Sequence, residues 1–153
     1  MKVGINGFGR IGRNFIRAAF KDSSFTRKFQ VVAVNDITDP KTLAYLFKYD
    51  SILGVYVGEV SSPDDNTVII DGQKIKVLRQ ADPVKLPWKE LSVDIVLESS
   101  GRFTAKADAV KHIQAGAKKV LISAPSKDAD MNVVMGVNQS KYDPAKHNVI
   151  SMA

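Results

Sequence analysis

Gly7, Gly9 and Gly12 fall in the order G-x-G-x-x-G near the amino terminus, and a carboxylate, Asp36, follows 24 residues after the last of them. Each residue suits one part of dinucleotide binding. The first glycine permits a tight turn, the second lets backbone amides approach a pyrophosphate, and the third lets a helix pack closely on a strand. The unpaired amides at the start of that helix, with the positive end of its dipole, attract the two phosphates. A carboxylate about 20 residues further on accepts hydrogen bonds from the adenosine ribose hydroxyls. The same Asp36 selects between dinucleotides. A 2′-phosphate ~4 Å from a carboxylate meets roughly 1–4 kcal/mol of repulsion per unit charge, and no arginine closely follows Asp36 to relieve it. The expected cofactor is NAD rather than NADP. A purely structural alternative makes the glycines an ordinary turn and Asp36 the cap of the next helix.

The chemistry requires a strand before the glycines, a helix after them and a second strand ending at the acid. Lys2–Asn6 reads as the first strand, and a helix is expected over about Arg10 to Lys21, where Ile11, Phe15, Ile16, Ala19 and Phe20 recur at helical spacing. Gln30–Asn35 contains the apolar run Val31-Val32-Ala33-Val34 expected of a parallel strand covered on both faces. Thr38, Asp39 and Pro40 mark the start of another helix, followed by Leu43, Ala44, Leu46 and Phe47. From Gly54 to about Val77 the pattern alternates, and Asp71-Gly72 between two β-branched runs signals a hairpin. Asp94–Glu98 returns to a buried strand. A helix from about Ala105 to Ala115 ends at Gly116, Lys119–Ile122 is a further strand, and Met131–Met135 and Asn148–Ser151 are short apolar segments. These features predict an α/β chain of the Rossmann type: one domain over residues 1–153, with a doubly wound, mostly parallel sheet and an inserted antiparallel hairpin.

In such a sheet the ligand lies beyond the carboxyl ends of the strands, at the switch point beside the first strand. The strand ending near Glu98 is the natural neighbour there, so Ser99, Ser100 and Gly101 are expected to face the glycine turn, with Ser123 leaving the next strand on the same edge.

Composition narrows the remaining choices. The chain has 153 residues, no cysteine and a net charge of +6. A disulfide scaffold, cysteine-bound zinc and thiol catalysis within these residues are therefore excluded, and His112 and His147 are too few and too far apart to suggest a metal cage. The positive charge is scattered, with no long basic block, which argues against nucleic acid as the main partner. Arg10, Arg13 and Arg17 would share one helix face, either as a solvated face with ion pairs or as a positive edge beside a bound phosphate. No apolar run reaches the ~18 residues of a membrane span, and the expectation is a soluble, cytoplasmic protein.

Several separate stretches carry a family likeness: Val3 through Arg13, Asn35-Asp36, Lys48 through Ser51, Glu98 through Gly101, Ala115 through Val120 and Ser123 through Lys127. Together they resemble the amino-terminal, NAD-binding half of phosphorylating glyceraldehyde-3-phosphate dehydrogenase, a glycolytic enzyme, over all 153 residues. The resemblance implies that Arg10 and Ile11 contact the pyrophosphate through the backbone, that Asp36 holds the adenosine ribose beside Asn35, and that Arg79 lies near the adenine end. Phe103, Ser100 and Ser123 would line the path to the nicotinamide. It further implies a tetramer acting on glyceraldehyde 3-phosphate and inorganic phosphate through a cysteine nucleophile and a histidine base. Val149–Ala153 would align just before the family's Ser-Cys-Thr-Thr-Asn motif, so this chain would bind the cofactor without catalysing turnover. Met152 and Leu53 depart from the family's usual Asn and His. Two alternatives remain open: an erythrose-4-phosphate dehydrogenase, and a stand-alone nucleotide-binding module.

Overall fold

The first strand, β1 (Lys2–Asn6), has Val3 and Ile5 on one face and Gly4 on the other. The missing side chain at Gly4 lets the Trp88 ring lie directly on the strand, since a Cβ there would come 2.8 Å from its Cζ3 atom. A computed structural model describes residues 1–153. After β1 come α1 (Arg10–Lys21), α2 (Ser23–Lys28), β2 (Gln30–Asn35), α3 (Pro40–Lys48), β3 (Tyr49–Asp50), β4 (Gly54–Val55), β5 (Val60–Asp64), β6 (Thr67–Ile70) and β7 (Gln73–Leu78). The second part contains β8 (Ile95–Glu98), α4 (Lys106–Gln114), β9 (Lys119–Ile122), β10 (Met131–Asn132) and β11 (Val149–Ser151).

Nine strands form one sheet in the order β10-β11-β9-β8-β1-β2-β7-β6-β5. All pairs from β10 across to β7 are parallel. β6 then pairs antiparallel with β7, and β5 with β6. The run β7-β2-β1-β8-β9-β11 reproduces the doubly wound order 3-2-1-4-5-6. The expected inserted hairpin is β6–β7, turned by Asp71 and Gly72 at φ +49° and +77°, the pair of positive angles a type I′ turn needs. A separate two-stranded ribbon, β3–β4, follows α3.

One face of the sheet buries Ile5, Ile16, Val34, Leu43, Phe47 and Ile70 under α1 and α3, and the other buries Trp88, Val93, Val96 and Ala117. Truncating one of the large residues, such as Phe47, to Ala typically costs ~3–5 kcal/mol. α1, β2 and β9 match the expected spans. The six-residue α2 escaped the periodicity argument because it is shorter than two turns; Asp22 caps it through Ser24 N, and Phe25 packs against Phe15 and Phe29. Of the Met131–Met135 segment only Met131 and Asn132 form a strand, since β11 offers a parallel neighbour for just those two. No helix is long and apolar enough to cross a membrane.

Candidate functional site

β1 and β8 are adjacent and parallel, with Asn6 opposite Glu98. From β1 the sheet continues to β2 on one side, and from β8 to β9 on the other, so a crevice opens beyond their carboxyl ends. It holds a cavity of about 230 Å³ walled by Asn6, Gly7, Gly9, Asn35, Asp36, Ile37, Gln80, Ala81, Ser99, Ser100, Arg102 and Phe103. A larger cavity of about 560 Å³ lies between α1 and the β3–β4 ribbon; it has neither the glycine turn nor the strand ends, and the smaller one is the functional candidate.

Each glycine of the fingerprint has its own reason. Gly7 has φ +91°, and a Cβ there would stand 2.4 Å from Ser100 N, so its absence lets the loop after β8 close on the turn. A Cβ on Gly12 would stand 2.4 Å from Gly7 O, which makes Gly12 the packing glycine of α1. A Cβ on Gly9 would meet nothing within 4 Å. That open space faces the amino end of α1, where Gly9 supplies no side-chain cap and the first turn has no acidic residue. A helix start leaves backbone N–H groups unsatisfied, and here no side chain of the protein answers them. The cradle therefore fits a pyrophosphate.

The Asp36 carboxylate is held at both oxygens, accepting from Phe8 N at 2.8 Å and from Thr38 N at 3.0 Å. Its remaining lone pairs are available to ribose hydroxyls. It does not cap α3: Asp39 does, accepting from Thr42 N at 2.9 Å. Hydrogen bonding to Thr42 holds the Asp39 carboxyl below its ordinary value. The structural alternative for Asp36 thus belongs to its neighbour three residues on.

Across the crevice Ser99 Oγ donates to Gly7 O at 2.7 Å, Gly101 turns with φ +73°, and Ser100 and Phe103 face the cavity. The Phe103 ring lies edge-on to His112 at 6.4 Å. Ser123 Oγ donates to Glu98 O at 3.1 Å on the same sheet edge, outside the cavity wall. Arg79 is exposed, its guanidinium donating to Asp65 O at 2.9 Å. Phe8, expected among the cofactor contacts, is off the cavity wall: the residue is 1% exposed, its ring stacks on Phe47, its N–H donates to Asp36 and its carbonyl accepts from Arg13. Arg10 and Ile11 sit exposed in the first turn of α1.

The two readings of the arginine face both need correction. Arg13 donates to Phe8 O at 2.9 Å, and burial lowers its pKa. Arg17 is 7% exposed, donates to the carbonyls of Phe47, Lys48 and Gly54, and lies over the Phe47 and Tyr56 rings. It ties α1 to the end of α3 and to β4, because three converging carbonyls replace the water it gives up. Arg10 alone stays at the exposed turn. Sequence reasoning missed Asn6, Ile37, Gln80, Ala81 and Arg102 on the cavity wall. Asn6 did leave a signal, as a polar residue closing an apolar strand; Gln80 and Arg102 left none, since loops place them.

Residues 1–106 match the family model described as glyceraldehyde 3-phosphate dehydrogenase, NAD binding domain. Curated relatives named glyceraldehyde-3-phosphate dehydrogenase are 59% identical in Streptomyces coelicolor and 57% in Geobacillus stearothermophilus, each over 153 residues. One named glyceraldehyde-3-phosphate dehydrogenase 1 in Bacillus subtilis is 54% identical. Each alignment covers 100% of this chain and 44% of the relative, so the chain spans less than half the length of the proteins it matches.

Proposed function

Because this chain belongs to the family of glyceraldehyde 3-phosphate dehydrogenase NAD-binding domains, we propose that residues 1–153 form the NAD-holding unit of a phosphorylating glyceraldehyde-3-phosphate dehydrogenase. Its cofactor is NAD, which when bound supplies the hydride acceptor for aldehyde oxidation. The amides of Gly9, Arg10 and Ile11 hold the pyrophosphate, and Asp36, beside Asn35, takes the adenosine ribose. Arg79 stands toward the adenine end, two positions before Ala81 of the cavity wall. Ser99 and Gly101 shape the loop after β8, and Ser100, Phe103 and Ser123 guide the nicotinamide end. Residues 107–153 belong to the same unit, since β9 and β11 continue the sheet from β8.

These 153 residues contain no cysteine. The covalent step on glyceraldehyde 3-phosphate and the phosphate that follows therefore call on groups other than those described here. Met152 and Ala153 follow β11, whose carboxyl end lies on the sheet edge that bears the crevice. We place the assembled enzyme in the cytoplasm as a homotetramer, with no membrane or nucleic-acid partner.

The observation that carries the reading is the uncapped start of α1 behind the open space at Gly9. Calorimetric titration with NAD, comparing the wild type with Gly9→Val, tests it. A branched side chain would fill space that the protein leaves empty, so the fold should persist while NAD affinity falls at least a hundredfold. Unchanged affinity in a folded variant would remove the glycine turn from the site.

A further inference from the structure

Behind the crevice lies a buried polar chain that the cofactor contacts above do not explain. Glu98, 1% exposed, closes β8 with no lysine or arginine in ion-pair reach; its one partner of that kind is His112, 0% exposed. Asn6 Nδ2 donates to Glu98 Oε2 at 2.6 Å, and His112 Nε2 lies 2.9 Å from the same oxygen. Ser100 donates to Oε1 through its backbone N–H at 2.9 Å and through its hydroxyl. Two carboxylate oxygens offer about four lone-pair positions, and these four bonds fill them.

The direction of each bond is settled at the far ends. Trp88 Nε1, which can only donate, points at His112 Nδ1 at 3.0 Å. His112 must therefore carry its proton on Nε2 and donate it to Glu98. On the opposite flank the Gln80 backbone N–H donates to Asn35 Oδ1 at 2.9 Å. That fixes the Asn35 amide, whose Nδ2 then donates to Asn6 Oδ1 at 2.7 Å, and this in turn directs Asn6 Nδ2 at Glu98. Both flanks run their donors toward one carboxylate.

Resting on the NAD reading of the crevice, we infer that Glu98 is a positioning residue for the cofactor. Its buried carboxylate holds the Gln80 loop, the ends of β1 and β2 and the Ser100 loop in one register. It also sets what Ser100 presents. With its proton given to Glu98 and one lone pair taken by Arg102 N at 3.1 Å, Ser100 Oγ offers the crevice only an acceptor. It suits a hydroxyl or amide N–H of the cofactor and not a phosphate oxygen.

Glu98→Gln in the intact protein is the test. Its amide nitrogen must replace one of two oxygens, each already faced by two donors, so either orientation sets donor against donor. NAD affinity should fall about tenfold, as expected for hydrogen bonds to a charged group, and hydrogen exchange at the Ser100 and Gln80 amides should speed up together. Nitrogen-15 spectra of the wild type should show neutral His112 protonated at Nε2, and the variant should lose that signature. Wild type that fails to bind NAD would sink the cofactor reading itself. Wild type that binds, with Glu98→Gln binding equally tightly, would sink the positioning role alone, as would an Nδ1-protonated or doubly protonated His112. Should Glu98→Gln not fold, Trp88→Phe decides. It removes the indole N–H together with part of the buried ring on Gly4, both outside the cavity wall, and in a folded variant it should mix the His112 tautomers and weaken NAD about two- to threefold; unchanged affinity with an unchanged tautomer would overturn the inference.

Discussion

The two walls of the crevice are built from different materials. On the β1 wall the ligand-facing surface is backbone: the glycine turn and the uncapped start of a helix, where a missing Cβ leaves open space at Gly9 and lets the loop and α1 close at Gly7 and Gly12. On the β8 wall it is a loop held by side chains, with Ser99 on Gly7 O and Ser100 on Glu98. Gly101 in that loop has open space around its Cβ position. A backbone wall fails when an atom is added, whereas a side-chain wall fails when an acceptor is removed.

The most severe break of this contrast is Gly12→Val. Its Cβ would press on Gly7 O at 2.4 Å and on Ile5 Cγ2 at 3.2 Å, so α1 cannot seat on β1. Overpacking of this kind costs ~1–3 kcal/mol or more; thermal denaturation should show a clearly lowered Tm, and calorimetry no NAD binding. The matched change on the other wall, Gly101→Ala, meets only the strain of φ +73°, roughly 1–2 kcal/mol. Greater damage from Gly101→Ala than from Gly12→Val would erase the distinction between the walls. Next in size is Asp36→Ala, which removes the one side chain that serves the backbone wall as a selector. NAD affinity should drop about tenfold as the ribose bonds are lost. Its advantage over NADP should narrow as well, because the ~1–4 kcal/mol repulsion toward a 2′-phosphate goes with the charge. Competitive titration with the two cofactors measures both, and a wild-type preference for NADP would contradict the role given to Asp36.

The smallest effect asks whether side-chain ties also hold the outer strands beyond β8. Burial pushes the Asp130 carboxyl up, but Lys106 and the amides of Val149 and Asn148 outweigh it and hold the group at about 2, below the ordinary 3.8. A depressed carboxyl stabilises the fold above its unfolded pKa, and that contribution is lost as pH falls through the folded value. Acid unfolding should therefore steepen between about pH 4 and pH 2, and Asp130→Asn should flatten that limb while lowering stability at neutral pH. Identical acid profiles for the two proteins would show that Asp130 contributes nothing to holding β11.

What the sequence made legible follows the same division. Gly7, Gly9, Gly12 and the run into Asp36 were readable because backbone chemistry demands particular residues at fixed spacing. The strand and helix spans around them were readable because burial on two faces leaves a periodic trace. The Glu98 cluster was not, since Asn6, Glu98 and His112 meet only once β1, β8 and α4 are packed. Arg17 misled for the same reason. Spacing placed it on a helix face beside Arg10 and Arg13, and only the packing of α3 and β4 against α1 turned that face inward.

Asn6 and Glu98, 92 residues apart in sequence, close the crevice where β1 and β8 lie side by side. Bringing such distant partners together carries a loop-closure cost that must be met before their contacts form. A chain in which β8 has not yet docked has the glycine turn but no opposite wall to the crevice. NAD, held in that crevice as proposed, should therefore stabilise the finished sheet and not its precursors. By mass action its presence should lengthen the lifetime of the folded state without hastening its formation, which unfolding and refolding rates measured with and without NAD would check.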